Sequence, residues 1–246
     1  MRGKDLCSEL IGVSSFTDYF YFLVTGAMPD ANQSFFTDAV LVAIAEHGLV
    51  PSIQAARMTY DAAPDALQGA VAAGILGCGS VVLGSSESAG RFLDALVEDA
   101  RKTGRSFEKT ADAKLAEMRA AKQALPGYGH PKHSSGDPRA HRLLSLADER
   151  KASSDAIRML RVVEQRIPAI YGRPLPINVS GAIPAVMLDV GFPVNALKGL
   201  PILARTAGLI GHLREEAESQ IGFIMSHHTA EAIAYEGPAS KLHGGS

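Results

Sequence analysis

Apolar residues recur at helical spacing in nearly every segment of this 246-residue chain, while the alternating Val/Ile/Thr runs that mark half-buried strands are absent. The fold class that follows is all-α. The stretch SSFTDYFYFLVTG offers Ser14 or Ser15 as an N-cap and Gly26 as a stop, and NQSFFTDAVLVAIAEHG reads as a helix ending at His47 and Gly48. Further helices are expected in PSIQAARMTYDA, PDALQGAVAAGILGCG, ESAGRFLDALVEDARKTG, KTADAKLAEMRAAKQA, PRAHRLLSLADER, SDAIRMLRVVEQRI, GAIPAVMLDVG and LKGLPILARTAGLIGHLREEAES. Several carry Pro in or near the first turn, where its missing N–H is no loss.

Charge divides the chain. Lys, Arg, Asp and Glu concentrate between about residues 91 and 166, whereas 35–86 and 177–213 are far more apolar. This shift predicts a large helical domain made of residues 1–88 and 184–238, a smaller inserted domain at 89–183, and a linker or tag at 239–246. With 24 Lys+Arg against 26 Asp+Glu and no basic stripe, nucleic acid is not an expected partner. Cys7 and Cys78 lack metal or CxxC spacing and read as buried thiols in a reducing compartment, with no metal site. Arg2, Lys4, Asp5 and Glu9 interrupt any early apolar region, so a cytoplasmic location is expected. The uncharged run Ala66 to Ser86 holds five glycines and three serines, which predicts a buried helix with close backbone contacts and no membrane span.

The richest local chemistry lies in PGYGHPKHSSGDPRA, residues 126–140. The Gly127-Tyr128-Gly129 backbone can approach a ligand closely and present N–H groups to phosphate or carbonyl oxygens. Lys132 and Arg139 add positive charge, His130 can polarise a carbonyl near neutral pH, and Asp137 with Pro138 opens the next helix. That set suits a carboxylate beside a reacting carbonyl. A turn-rich surface connection fits the same residues, and the loop alone leaves both readings open.

This loop resembles the G-[FY]-G-H…DPR loop of the citrate synthase superfamily, which includes a citryl-CoA lyase branch. Other segments match in order: RGKDLCSELIGVSSFTDYFYFLVTGAMP, AEHGLVPSIQAAR, INVSGAIPAVMLDVGFP and ARTAGLIGHLREE. The match runs through nearly all of residues 2 to 238. The resemblance implies a citrate synthase-like fold and a homodimer in which a small domain closes over a coenzyme A thioester, such as acetyl-CoA, and a 2-oxo acid, such as oxaloacetate. The thioester is a substrate, and no permanently bound cofactor is expected. By the same resemblance His47 and His130 hold and polarise the oxo-acid carbonyl, Arg139 and Arg205 bind its carboxylates, and Leu125, Pro126, Gly127, Tyr128, Gly129 and Lys132 hold coenzyme A. Guanidinium forks and a donor at the ketone oxygen are what a dicarboxylic 2-oxo acid requires. The apolar runs LPINVSGAIPAVMLDVGF and LVAIAEHGLVPSIQAARM are the segments expected to meet across the two-fold axis.

Two positions depart from the family's pattern. The histidine that donates to the thioester oxygen falls at Leu83, and the aspartate that removes the acyl-CoA α-proton falls at Ser180. A late carboxylate-binding arginine is not visible near AIAYEGP. Losing a positioned base is worth roughly 10²–10⁴-fold and losing an oxyanion donor roughly 10²–10³-fold. Three readings follow. One is a citryl-CoA lyase-like enzyme making or breaking a C–C bond between an acyl-CoA and a 2-oxo acid. Another is the same scaffold with changed chemistry, in which Ser180, His133 or Asp189 supplies a group the family does not use. The third is a non-catalytic binder of coenzyme A or a dicarboxylate.

Overall fold

The computed structural model of the chain describes residues 1–79, 83–129, 136–234 and 237. Among these, every regular element is helical, and a single isolated antiparallel bridge joins Tyr128 to Ile177. The elements fall into two compact units, 1–46 with 78–207 and 47–77 with 208–246. The charge pattern had placed boundaries near residues 88 and 183; the contacts instead keep 184–207 with the charged middle of the chain.

The first unit opens with a short π-helix, Leu6–Leu10, whose N-terminal N–H groups are capped by Asp5. Helix α1 (Phe16–Thr25) starts at Ser15, whose hydroxyl accepts from the Asp18 N–H, and stops at Gly26 in the left-handed region. Helix α2 (Ala31–Ala45) begins with a capping box between Asp30 and Gln33 and ends two residues short of His47. After α5 (Gly84–Thr103), α6 (Phe107–Ala120), α7 (Pro138–Glu149) and α8 (Asp155–Tyr171) comes α9 (Val179–Asp189). Helix α9 is apolar all round and packs against α2, α5, α7 and α8. Its residues Val179 and Gly181 to Met187 are buried, with Leu93, Leu115, Ile157, Leu160 and Ile167 around them. The run LPINVSGAIPAVMLDVGF is thus largely spent on the core of one chain, which removes the main reason for expecting it at a subunit face.

In the second unit α3 (Pro51–Ala62) packs on α4 (Leu67–Leu76) and α11 (Gly222–Ala232). Helix α10 (Gly199–Glu218) contributes to the first unit up to Ala207 and to the second from Gly208. Ile53, Ala56, Ala70, Leu209 and Leu213 form the second core. The buried Arg57, last residue of the AAR motif, gives its Nε to Glu216 and its Nη1 to Glu215 at 3.3 Å, so two sequence motifs far apart are one ion-pair network. Glu216 Oε1 also accepts the Ile221 and Gly222 N–H groups, at 2.6 and 2.7 Å, while Asp61 Oδ2 accepts from Phe223 at 3.1 Å.

Two expectations need correction. Ala66 to Ser86 is not one helix: α4 stops at Leu76 and α5 begins at Gly84, a break that Gly77 and Gly79 favour. Cys7 is exposed; Cys78 is buried, and both thiols are free. Helix α11 carries no sequence signal of its own. Among the described residues no helix is long and apolar enough to cross a membrane.

Candidate active site

The Leu125 to Gly129 loop is fixed by backbone pairing with the segment leading into α9. Gly129 N–H donates to Pro176 O at 2.7 Å, and Asn178 N–H donates to Gly127 O at 3.0 Å. Asn178 then works twice: its Oδ1 accepts from Gly181 N–H at 3.2 Å as the α9 N-cap, and its Nδ2 donates to Gly129 O at 2.7 Å. Gly127 and Gly129 hold φ of 88° and 77°, in the region that favours glycine. A Cβ on Gly127 would sit 2.8 Å from Gly181 Cα, and one on Gly181 would sit 2.5 Å from Gly127 O. The two backbones are in direct contact. Tyr128 is buried and its hydroxyl donates to Leu160 O at 2.9 Å; burial pushes its phenol well up, so it anchors the loop as a neutral group.

On the far side of the loop, Asp137 is 1% exposed and carries four donors. It accepts from Arg139 N–H at 3.0 Å, from Arg139 Nε at 3.1 Å and Nη2 at 2.9 Å, and from Val179 N–H at 3.0 Å. Burial raises its carboxyl, but the Arg139 fork and the two N–H groups outweigh this and hold it below the ordinary range. One carboxylate therefore ties the starts of α7 and α9 together and orients Arg139. Sequence reading identified Asp137 as a helix cap only; its bond to the Val179 N–H spans 42 positions and carries no local signal.

Ser180 is the second residue of α9, and its hydroxyl accepts from Ser85 Oγ at 3.0 Å. Pro184, four residues on, has no N–H to give to the Ser180 carbonyl. Leu83 is buried just ahead of α5. Asp189 is no free base: it accepts from the N–H groups of Ser154, Ala156 and Ile157 at 2.6, 2.8 and 3.0 Å and so caps α8, while burial pushes its carboxyl up. On α10, Arg205 is 5% exposed, and its Nε and Nη1 find no hydrogen-bond partner among the described residues. His47 opens the second compact unit, two residues past the end of α2. His130, Lys132 and His133 lie outside the described residues. Among the described residues no group of His, Cys, Asp and Glu has the arrangement of a metal site.

A family model described as citrate synthase, C-terminal domain, matches residues 12–224. The chain belongs to the citrate synthase family. Its fold is similar to that of citryl-CoA lyase from Hydrogenobacter thermophilus, with a TM-score of 0.86 and 31% identity over 98% of this chain and 91% of that one. It is also similar to ATP citrate lyase from Methanothrix soehngenii, solved in complex with citrate and coenzyme A, with a TM-score of 0.78 and 25% identity over 99% of this chain and 40% of that one. A citrate synthase-like protein of Aspergillus oryzae is 26% identical over 87% of the chain. The chain spans about half the length of that relative, 48%, and less of the other curated relatives. In this citrate synthase-family chain the glycine loop and Asn178 are bonded together, Asp137 joins Arg139 to the start of α9, and in the same first turn Ser180 accepts from Ser85.

Proposed function

We propose that this protein is a citryl-CoA lyase-like enzyme that makes or breaks a C–C bond between an acyl-CoA, such as acetyl-CoA, and a 2-oxo acid, such as oxaloacetate. The observation that carries this is Arg205: a guanidinium nine-tenths buried whose Nε and Nη1 have no partner among the described residues is unfavourable until an anion meets it, and a carboxylate matches its fork. Arg139, already aimed by Asp137, is the second carboxylate-binding group, and His47 and His130 polarise the ketone oxygen. Coenzyme A is held by Leu125 to Gly129 and Lys132, where the glycines let the backbone come close. The active form is a homodimer.

Leu83 and Ser180 favour changed chemistry on this scaffold over ordinary citrate synthesis, since neither the usual oxyanion donor nor the usual base is present. The first test is binding. A ligand at 100 times its Kd adds about 2.7 kcal/mol to stability, so thermal denaturation with coenzyme A, acetyl-CoA, oxaloacetate and citrate separates binders from bystanders. Stabilisation by both a coenzyme A species and a carboxylate is expected; indifference to all of them removes the reading.

A further inference from the structure

Helices α5 and α6 form a helical hairpin, and each turns one stripe of side chains toward a groove between them: Ser88, Phe92 and Asp99 from α5, Thr110 and Lys114 from α6. The groove consists of two clefts, of about 560 and 350 Å³, that meet at Phe92 and Lys114. From Ser88 to Asp99 it runs for about 16 Å. The upper cleft reaches Pro126, in the glycine loop. Charge divides the two. Among the described residues the upper cleft is lined by Arg91 and Lys114 and by no Asp or Glu, whereas the lower one holds Asp99 and Glu117 beside Arg105. Buried Phe92 and Leu96 back the lower cleft, together with Thr110, which is 2% exposed and whose Oγ1 has no partner among the described residues. We propose that this groove takes the nucleotide end of a coenzyme A thioester, with the phosphates between Arg91 and Lys114 and the adenine in the lower cleft. The proposal rests on the acyl-CoA reading above, which gives the glycine loop to coenzyme A.

Phosphates need cations that can leave their present partners. Arg91 is paired with Glu87 at 3.0 Å and Lys114 with Glu117 at 2.7 Å, each within its own helix. Such solvent-facing pairs contribute little, so a phosphate, with more charge and more acceptor oxygens, displaces the carboxylates. Adenine asks for apolar surface against its ring, an acceptor for its exocyclic amine and a donor for a ring nitrogen. Phe92 and Leu96 supply the first, the carboxylates of Asp99 and Glu117 the second, and the Thr110 hydroxyl the third. A buried hydroxyl without a partner costs stability until something meets it. The carboxylates that suit the amine would repel a phosphate in the lower cleft, and this sets the orientation. From the lower cleft upward the groove then offers places for a base, for phosphates, and at Pro126 for the pantetheine arm, which is the order of these groups along coenzyme A.

The test is calorimetric titration of the full chain with coenzyme A, pantetheine and adenosine 3′,5′-bisphosphate, the last carrying the base and phosphates without the arm. Wild type should bind coenzyme A more tightly than pantetheine, and coenzyme A should displace the bisphosphate. Arg91→Met and Lys114→Met should each weaken coenzyme A and the bisphosphate about 10-fold, the low end for a charge-assisted bond, and leave pantetheine unchanged. Thr110→Val should weaken the same two ligands while keeping or raising the melting temperature of the ligand-free protein, because it removes an unpartnered buried hydroxyl. Ala95 is exposed on the lower cleft, so Ala95→Trp should fill it and abolish bisphosphate binding without loss of fold, checked by an unchanged melting temperature. Unchanged coenzyme A affinity in any of these variants, equal affinity for coenzyme A and pantetheine, or a bisphosphate that binds without competing with coenzyme A overturns the groove. Absence of binding by coenzyme A and pantetheine alike overturns instead the reading on which it rests.

Discussion

Arg205 is the residue where stability and function pull apart. Its Nε and Nη1 are buried with no partner among the described residues, a burden on the ligand-free protein, and replacing such a group by an apolar one of similar size is often neutral or stabilising. Arg205→Met is therefore expected to keep or raise the melting temperature while abolishing stabilisation by oxaloacetate or citrate, with the coenzyme A response retained; calorimetry on the two proteins checks both halves. A melting temperature that collapses would make Arg205 a packing residue instead. Its need for a partner was legible in the sequence, because an arginine inside an apolar helix announces itself. Ser85 announced nothing: it is one of several small polar residues at the start of α5, and only folding brings it to Ser180, 95 positions away.

At the scale of elements, the start of α9 is held by Asn178 and Asp137 and by the glycine contact. Asp137→Asn should lower stability by about 2 kcal/mol, the range for bonds to charged groups. The sign of the pH effect follows from its depressed carboxyl. Asp137 contributes stability above the unfolded-state value of about 3.9, and this is lost as pH falls through the lower folded-state value; the variant should show a shallower loss in that window, measured by urea unfolding below pH 5. Gly181→Ala places a methyl group 2.5 Å from Gly127 O and should cost about 1–3 kcal/mol while reducing coenzyme A affinity, which thermal unfolding with and without coenzyme A will show. Elements with local capping signals, such as Ser15 before α1, Asp137 before α7 and Gly26 after α1, were legible in advance. Helix α11 was not, because its first N–H groups are satisfied by Glu216 and Asp61 from other helices rather than by a cap of its own. Asp189 was misread for the same reason: its three partners lie more than 30 residues away.

For the whole molecule, the all-α class and the family motifs were visible as ordered patterns, whereas the grouping into compact units depends on which apolar faces meet. The run through α9 went to the interior, yet Val42 at 74% and Leu76 at 84% exposure leave apolar surface outside the cores. Light scattering should give twice the 25.9 kDa chain mass, and a stable monomer at micromolar concentration would remove the dimer. One consequence of the Gly127–Gly181 contact reaches past this chain. Neither site has room for a methyl group without a displaced backbone, and changing both would add a second clash rather than relieve the first. A library randomised across both positions should therefore return the parental pair far more often than any other among coenzyme A binders.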